Sequence, residues 1–554
     1  MNNLLKITNI GGVGVQKNMF LYEVNDEAFL VDCGIGFPEA EDYGVDIIIP
    51  DFTYILSIKS KIKGLLLTHA HEDHISATPY LLKEMPLTIY CHPMVQDFLK
   101  NKLKDHSGLN TPKFVEILQR KPFTIGNKFK LYPYGVNHSV PNTMGFFIQT
   151  PYATVVHQTD FKFDFTPVMD KPIDIREIAR LTEKFNPSLL LSDSLGSMAE
   201  SFTKSERMIE DTFDLLIKDA KNQVFITTIS SNISRIQQAI NSANTFGRKV
   251  VVSGYSIENN VAVAIKHNLL VNFKNTLIRE QDIKKYKPNE LLYIVPGNYG
   301  QIGSTLDKIS DNKHRFIRLL QGDTVVFSGD PIPGMEPMVQ KMVEKLAIRG
   351  AEVIYSELQH DLHVSGHGSS GDLSLMANLI KPPHLCPIGG DIIHLKAYKE
   401  LMVRQGFKRE NIFELLDGES LLIGERGVKV GPKIEIKDVY IDKGQKEGRV
   451  ESIVINDRKL LSENGIIFVV LPYKNNTILL GGANIYTRGF FHVKENKFLL
   501  DNMVENVNFA LKSGVPLSDF SSVRKSVEKS LSRFLYKQVG EVPVIVVEKM
   551  DIGK

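Results

Sequence analysis

The sequence predicts a mixed α/β protein with several domains. Short apolar runs typical of strands alternate with helix-like segments between residues 60 and 165. Between residues 205 and 357 the alternation takes a strand–helix–strand rhythm, which is typical of a parallel sheet. The 554 residues suffice for about three or four domains, and 43% hydrophobic with 23% charged residues is an ordinary globular balance.

Charge and cysteine content say more about the cellular environment of the protein than about its function. The net charge of +2 neither requires nor excludes nucleic-acid binding, because a protein with nearly zero net charge can still have a local basic groove. Cys33, Cys91 and Cys386 are far apart, which is typical of buried thiols in a reducing, cytoplasmic protein. No apolar run approaches the ~20 residues of a membrane span, and the N-terminus lacks a signal-peptide core. We therefore expect a soluble protein with no membrane partner.

The N-terminal region predicts a β-hairpin that ends in a carboxylate. Residues 19–24 and 28–31 are apolar runs separated by an Asn-Asp turn. Asp32 follows the second run directly. We expect it to hold the far nitrogen of a metal-binding histidine, and the alternative is an ordinary turn aspartate.

The most informative segment, residues 68–74, lies where a strand gives way to a helix. The run 64–68 is short and apolar, and residues 75–85 have helical spacing. Three histidines and two carboxylates lie within residues 69–74. The alternative to a metal site is a surface loop that happens to be rich in histidine, and so dense a group of ligands directly after a buried strand favours the metal site.

The spacing suits two adjacent metal ions. Alternate side chains of an extended segment share a face, so His69 and His71 would bind one ion. Asp73 and His74 follow the start of the turn and would bind the other. Imidazole and carboxylate ligands without thiolate suit zinc, with manganese as the other option.

Two later residues can complete this site. His138 lies in a loop after a strand and would complete the ligands of the first ion. Asp160 lies just past another strand and can bridge both ions through its two oxygens. Two adjacent cations can activate water as a nucleophile and stabilise charge on a phosphate.

The successive motifs resemble those of ribonuclease J, a family of the β-CASP branch of metallo-β-lactamase nucleases. The three motifs that carry the resemblance are His69-x-His71-x-Asp73-His74, residues 137–141 and residues 160–164. The likeness covers nearly the whole chain. Further matching segments are 11–14 with 17–19, 191–194 with the acidic Asp193, 231–235, 321–328, 331–334 and 363–367.

The resemblance implies a metallo-β-lactamase αββα sandwich, an inserted β-CASP parallel-sheet domain and a small C-terminal α/β domain that self-associates. Residues 425–448 are rich in Gly and Lys and contain Pro432, which is typical of a linker. Beyond it, residues 465–471, 477–480 and 543–547 predict strands and residues 523–535 a helix. The expected boundaries are 1–204 and 358–430 for the sandwich, 205–357 for the insertion, 431–448 for the linker and 449–554 for the last domain.

The resemblance also implies residue roles. The metal ligands would be His69, His71, Asp73, His74, His138 and Asp160. The substrate phosphate would be held by His363, Val364, Ser365, Gly366 and His367, with RNA phosphates contacted by Ser231, Asn232 and Arg235 in the cleft that the insertion creates. The alternative for Arg235 is a charge on a helix surface. Asp73, which also accepts a proton, and His367, which protonates the leaving oxygen, would be catalytic.

The chain departs from the family pattern at three places. Gly389 stands where the family has the last metal-binding histidine, so the second zinc ion loses a protein ligand. Water or Asp391 would have to take the position, since His394 is not an obvious replacement. Residues 295–300 and Val15-Gln16 also differ from the family pattern.

Three functions are compatible with these features. The first is a zinc-dependent ribonuclease with 5′–3′ exonuclease and endonuclease activity in RNA maturation and decay, including rRNA processing. The second is a catalytically weakened RNA-binding paralogue that serves as partner subunit of an active ribonuclease J, which Gly389 favours and the cluster at 69–74 opposes. The third is a hydrolase of small esters or thioesters, against which the insertion and the 363–367 loop argue. We expect a homo-oligomer, such as a dimer, or a hetero-oligomer with a paralogue.

Overall fold

A computed structural model describes residues 4–552 apart from 15, 39–41, 43, 330–334, 357–361, 443, 445–447, 475–476, 480, 493–494 and 512–518. The chain forms two compact units, residues 1–37 with 48–438 and residues 38–47 with 439–554. The predicted motif at 331–334 and the departure at Val15 lie outside the described residues. Among the residues that are described, none of the helices combines the length and apolar character needed to cross a bilayer.

The segment before residue 205 is mainly β. Its strands are β1 Leu5–Gly11, β2 Met19–Val24, β3 Glu27–Val31, β4 Ile47–Ile49, β5 Ile62–Leu66, β6 Thr88–Cys91, β7 Lys113–Glu116, β8 Phe123–Ile125, β9 Phe129–Gly135, β10 Met144–Gln149, β11 Thr154–Gln158 and β12 Leu189–Asp193. Its helices are α1 Thr53–Ser57, α2 Glu72–Ile75, α3 Thr78–Glu84, α4 Pro93–Leu103 and α5 Ile175–Phe185. The predicted hairpin is confirmed, since β2 and β3 pair antiparallel.

The remainder of the first unit alternates helices and strands. Its elements are α6 Met208–Asp219, β13 Val224–Thr227, α7 Ile233–Thr245, β14 Lys249–Val252, α8 Tyr255–Lys266, β15 Leu291–Val295, α9 Thr305–Ser310, β16 Thr324–Phe327, α10 Glu336–Ile348, β17 Glu352–Ile354, α11 Ser370–Ile380, β18 His384–Ile388, α12 Ile392–Arg404, β19 Ser420–Gly424 and β20 Gly427–Val430. Strand β20 pairs with β19, so the prediction of an irregular linker from residue 425 is wrong over these four residues. Gly427, the first residue of β20, adopts a positive φ directly after the two-residue turn, a conformation that glycine reaches without strain.

Two sheets enclose the main core of this unit. One has the strand order β20-β19-β1-β2-β3-β5-β6-β7 and the other β18-β12-β11-β10-β9-β8. Side chains such as Tyr22 and Phe29 from the first sheet pack with Phe146 and Leu191 from the second. The opposite face of the second sheet packs against α5, α11 and α12. Burial of both faces explains why these strands are apolar almost throughout.

The described strands between residues 224 and 354 form a separate parallel sheet, which lies in the chain between two neighbouring strands of the sandwich. Strands β12 and β18 are parallel neighbours, although the whole of this segment lies between them in the chain. The described strands of the segment have the order β14-β15-β13-β16-β17 and pair parallel throughout. The parallel sheet predicted from the strand–helix rhythm is therefore confirmed.

The second unit contains a short antiparallel pair and a small sheet covered by helices. Its elements are β21 Val439–Ile441, β22 Arg449–Val450, α13 Ser452–Asn464, β23 Ile466–Lys474, β24 Thr477–Ile478, β25 Asn484–Arg488, α14 Lys497–Leu511, α15 Phe520–Val539 and β26 Val544–Asp551. Strand β23 is central, with β24 and β25 antiparallel and β26 parallel to it. Val469, Val507 and Leu531 belong to the core between this sheet and α14 and α15. The strands predicted at 465–471 and 543–547 and the helix predicted at 523–535 are confirmed. The strand predicted at 477–480 covers only Thr477–Ile478, and residue 480 lies outside the described residues.

Candidate metal centre

The histidine cluster lies where β5 ends and α2 begins. The helix predicted over residues 75–85 is confirmed at Thr78–Glu84, which form α3, whereas Ile75 belongs to a separate short helix, α2, that starts at Glu72. The acidic pair Glu72 and Asp73 favours a helix start at this point because carboxylates stabilise the positive end of the helix dipole. Pro79 lies in the first turn of α3 and would clash inside a continuous helix.

The first group of potential metal ligands comprises His69, His71, His138 and Asp160, with one ligand atom of each lying within 4.8 Å of the others. His69 is fully buried, and its Nε2 has no hydrogen-bond partner. His138 donates from Nδ1 to the carbonyl oxygen of Gly366 at 2.7 Å, which leaves a lone pair on Nε2. That Nε2 lies 2.9 Å from Nδ1 of His71. Nitrogen lone pairs therefore converge on one point, as a metal ion requires.

The second group comprises Asp73, His74 and Asp160. Asp160 belongs to both groups through different oxygens, with Oδ1 3.4 Å from Nε2 of His74 and Oδ2 3.4 Å from Nε2 of His69. This geometry is the one that a bridging carboxylate needs. Asn18 Nδ2 lies 3.1 Å from Asp73 Oδ2 and 3.0 Å from His74 Nε2.

Asp32 lies behind the ligand groups and bonds a histidine there, as expected for a carboxylate that orients a metal-binding histidine. His74 donates from Nδ1 to Oδ2 of Asp32 at 2.8 Å. Thr68 donates its backbone N–H and its hydroxyl to the two oxygens of Asp32, each at 2.9 Å. Nδ1 of His69 lies 2.9 Å from that hydroxyl. These bonds place the histidine protons on Nδ1 and orient each Nε2 toward the ligand groups.

The electrostatics differ between the two groups. Burial and the neighbouring His69 lower the pKa of His71 to about 3. Burial and His71 hold the pKa of His138 well below its usual value, so both imidazoles are neutral and suited to bind a cation. Burial lowers the pKa of His74, but the carboxylates of Asp160 and Asp73 raise it by more, so that it lies well above its usual value. The two carboxylates of the second group thus attract a proton to His74, and a divalent cation would take its place.

The residues present fit a metal. Imidazole and carboxylate oxygen are ligands for zinc and related divalent ions, and the unsatisfied buried Nε2 of His69 is explained by such an ion. We infer a metal centre with two adjacent positions, the first with three histidines and Asp160, the second with Asp73, His74 and Asp160.

The predicted phosphate-binding loop, residues 363–367, lies against this centre. Nδ1 of His367 lies 2.7 Å from Oδ2 of Asp193, and its Nε2 lies 3.7 Å from Oδ2 of Asp160. Burial lowers the pKa of His367, but Asp193 and Asp160 raise it to about 9 overall. Ser365 is exposed, and its hydroxyl accepts the backbone N–H of His367 at 3.0 Å. Val364 is buried, and Gly366 contributes the carbonyl that fixes His138.

The three residues predicted to contact RNA in the inserted domain have different environments. Ser231 is nearly buried, and Asn232 caps α7 by accepting the backbone N–H of Arg235 at 3.0 Å. Arg235 is fully buried and bonds Glu206, so it is neither a surface charge nor available to a phosphate. Both sequence-based interpretations of Arg235 are therefore wrong. The roles predicted for Ser231 and Asn232 stay predictions.

Gly389 stands where the family has its last metal-binding histidine, and the structure shows its surroundings. Gly389 has φ of +70°, and an added Cβ would lie 3.6 Å from Oδ1 of Asp193, in ordinary contact. Asp391 caps α12 and accepts a hydrogen bond from Nδ1 of His394 at 2.8 Å. Among the described residues, neither Asp391 nor His394 belongs to a ligand group. Asp391 therefore does not replace the lost ligand in this arrangement.

Comparison with known proteins supports the same assignment domain by domain. Residues 12–173 match the metallo-β-lactamase superfamily, residues 221–346 the β-CASP domain of ribonuclease J, and residues 453–552 the ribonuclease J C-terminal domain. The chain is 33% identical over 552 residues to ribonuclease J2 of Bacillus subtilis, with 99% of each chain covered. The chain belongs to the ribonuclease J family. The predicted fold class, a metallo-β-lactamase domain with an inserted β-CASP domain and a C-terminal domain, is confirmed.

Two further similarities extend across the chain. It is 33% identical to ribonuclease J 1 of Streptococcus pyogenes, covering 98% of this chain and 97% of that protein. A crystal structure of a protein of unknown function from Enterococcus faecalis aligns with a TM-score of 0.52 at 16% identity, over 76% of this chain and all of that one. The latter similarity concerns the fold alone.

Sequence reasoning missed several residues that support the ribonuclease J site. Lys162 and Asp372 are buried polar residues that bond backbone near the ligand groups. Asn18 reaches both Asp73 and His74. Lys162 and Asn18 lay within matched motifs, but nothing in the sequence showed what their side chains contact.

Proposed function

We propose that this chain is a metal-dependent ribonuclease that hydrolyses phosphodiester bonds in RNA, with 5′–3′ exonucleolytic and endonucleolytic cleavage in RNA maturation and decay, including rRNA processing. The observation that carries the proposal is the position of Asp160, whose two oxygens face two separate groups of ligands. Full-length similarity to proteins named ribonuclease J supports RNA as the substrate and does not favour a catalytically weakened partner subunit. The insertion argues against small esters or thioesters.

The proposed ligands are His69, His71 and His138 for one ion and Asp73 and His74 for the other, with Asp160 shared. Zinc is the ion that best suits nitrogen and carboxylate ligands without thiolate. Bound there, two cations would activate water and neutralise charge on the phosphate. Asp73, half-exposed at the start of α2, would accept the proton of that water.

The loop at 363–367 would hold the phosphate that is cleaved. Asp193 accepts a hydrogen bond from Nδ1 of His367 and, with Asp160, raises the pKa of His367 to about 9, so Nε2 would carry a proton near neutral pH. It would give that proton to the leaving oxygen. His363, Val364, Ser365 and Gly366 would hold the phosphate oxygens, and Ser231 with Asn232 would contact the RNA backbone further along.

Other properties follow from the same proposal. The free cysteines Cys33, Cys91 and Cys386 are all buried, which suits a reducing cytoplasm. We propose that the chain acts as a homo-oligomer or with a ribonuclease J paralogue.

Two neighbouring carboxylates provide the test. Asp73 faces the second group, whereas Glu72 points to Lys102 at 2.8 Å and belongs to neither group. The test measures metal per chain by elemental analysis and cleavage of a 5′-monophosphorylated RNA for wild type, Asp73→Ala and Glu72→Ala. We expect Asp73→Ala to lose cleavage and metal from the second position, and Glu72→Ala to behave as wild type. RNA that is bound but uncut by all three proteins would refute the enzyme and leave an RNA-binding partner subunit.

A further inference from the structure

Two buried cations bond backbone carbonyl oxygens of the 362–367 loop. Arg235, from α7 of the inserted domain, is fully buried. Its Nη1 donates to the carbonyl oxygen of Leu362 at 3.1 Å. Lys162, two residues after Asp160, is also buried and donates from Nζ to the carbonyl oxygen of Ser365 at 3.1 Å.

One carboxylate joins the two cations. Oε1 of Glu206 accepts from Nη2 and Nε of Arg235 at 2.7 and 3.2 Å. Oε2 of Glu206 lies 3.6 Å from Nζ of Lys162. Burial raises the pKa of Glu206, but Arg235 and Lys162 lower it by more, so the carboxylate is ionised. A buried charge persists only where it is paired and hydrogen-bonded, so these three side chains hold one another in place.

The bonds of Arg235 extend to the sheet of the inserted domain. Its Nη1 also bonds the hydroxyl and, at 3.1 Å, the carbonyl oxygen of Ser328, which directly follows β16. The hydroxyl of Ser328 donates to the carbonyl oxygen of Leu362 at 2.8 Å. One guanidinium therefore links the sheet, Glu206 and the start of the loop, and lysine could not make all of these bonds at once.

The loop that these residues hold carries two groups that face the metal centre. The carbonyl oxygen of Gly366 fixes His138, and His367 lies beside Asp160. We propose that Lys162, Glu206 and Arg235 form a buried clasp that sets the position of this loop against the metal centre. They act as positioning residues, through Gly366 and His367, and none of them contacts the reacting phosphate.

Arg248 offers a matched control. It is a nearly buried arginine of the same inserted domain, and it donates to the carbonyl oxygens of Asn222, Leu291, Ile217 and Ala220. It has no bond to the loop among the described residues. Arg248→Lys therefore removes comparable structural bonds from the same domain without touching the clasp.

The test compares Arg235→Lys with Arg248→Lys by hydrogen exchange of peptides that cover residues 362–367, and by kcat and KM for a 5′-monophosphorylated RNA. We expect both variants to lose thermal stability. Only Arg235→Lys should speed exchange in the loop and lower kcat by about 10–100-fold, the effect typical of losing a group that orients a metal site. KM should rise as well, because the same loop would hold the phosphate of the substrate. In a His367→Ala background, Arg235→Lys should lower kcat by a smaller factor, because two residues that act through the same group are not additive.

Equal loop exchange and equal kcat in Arg235→Lys and Arg248→Lys would overturn the proposal. Should Arg235→Lys fail to fold, Lys162→Met removes the other cation, which bonds the carbonyl oxygen of Ser365, and is tested with the same measurements. The kinetic part rests on the proposed function, whereas the exchange part does not. A wild-type chain that cleaves no RNA but shows the exchange difference would refute the proposed function and leave the clasp intact.

Discussion

Replacing Asp32 by Asn tests whether the hydrogen bond from His74 to Asp32 orients this histidine for metal binding. The substitution is nearly isosteric, and the backbone tolerates it, because Asp32 has φ of +61° and Asn adopts that region readily. The Asn oxygen can still accept the backbone N–H of Thr68, as Oδ1 of Asp32 does at 2.9 Å. The NH₂ group of the Asn then faces Nδ1 of His74. In the wild type, Oδ2 of Asp32 accepts a hydrogen bond from this Nδ1 at 2.8 Å.

The size of the effect follows from that change of partner. His74 must either keep its proton on Nδ1, where two donors now face each other, or move it to Nε2, where it blocks ligation. Leaving buried donors unpaired costs about 1–3 kcal/mol. Since about 1.4 kcal/mol corresponds to a factor of ten, metal affinity at the second position should fall by about 5- to 150-fold. The first position should lose less, because Asp32 reaches His69 only through the hydroxyl of Thr68.

Calorimetric titration of the metal-free protein with Zn²⁺ or Mn²⁺ measures both positions. Glu27→Gln is the control, since Glu27 is a buried carboxylate that accepts the backbone N–H groups of Asn127 and Lys128 and has no part in the ligand groups. We expect wild-type affinities for Glu27→Gln. If Asp32→Asn also binds metal as wild type does, Asp32 does not orient His74 and the reasoning fails.

Three further predictions concern single positions. Gly389→Ala and Gly389→His should both lower the melting temperature, because residue 389 has φ of +70°. Only the histidine variant should raise metal affinity at the second position. Equal affinities of the two variants by titration would show that a side chain at residue 389 does not reach that position. Burial raises the pKa of Asp323 to about 6, so its ionisation destabilises the folded state as pH rises from about 4 through 6. The melting temperature of Asp323→Asn should therefore increase relative to that of wild type across this pH range. A difference in melting temperature that stays constant would contradict the raised pKa. In Gly34→Ala the new Cβ would lie 1.5 Å from the backbone oxygen of Asp73, so Asp73 would have to move. Elemental analysis should therefore find less metal per chain than in wild type. Full metal content would mean that the backbone at Asp73 can move without loss of metal.

The location of the candidate site was predictable because its polar residues follow buried strands. The segment at 69–74 follows β5 and Asp160 follows β11, so the candidate ligands lie just past the ends of two strands, one from each sheet. The alternation of strands and helices likewise predicted the parallel sheet of the insertion, because period and composition are local properties.

Residues that depend on distant partners were not predictable. An arginine in the first turn of a helix is usually exposed, and the burial of Arg235 depends on Glu206, 29 positions earlier, and on Leu362, 127 positions later. No local pattern reports such pairs. The division between α2 and α3 was missed although Pro79 marks it, because apolar spacing continues across the break.

The order of strands in the two sheets has a consequence for biosynthesis. The six proposed metal ligands lie between His69 and Asp160. Strand β19, which ends at Gly424, lies beside β1, and β18, which ends at Ile388, lies beside β12. A chain that emerges from the ribosome can therefore complete neither sheet until most of it has been synthesised. The carbonyl that fixes His138 is also made late, so an unfinished chain would carry every ligand and still lack the assembled centre.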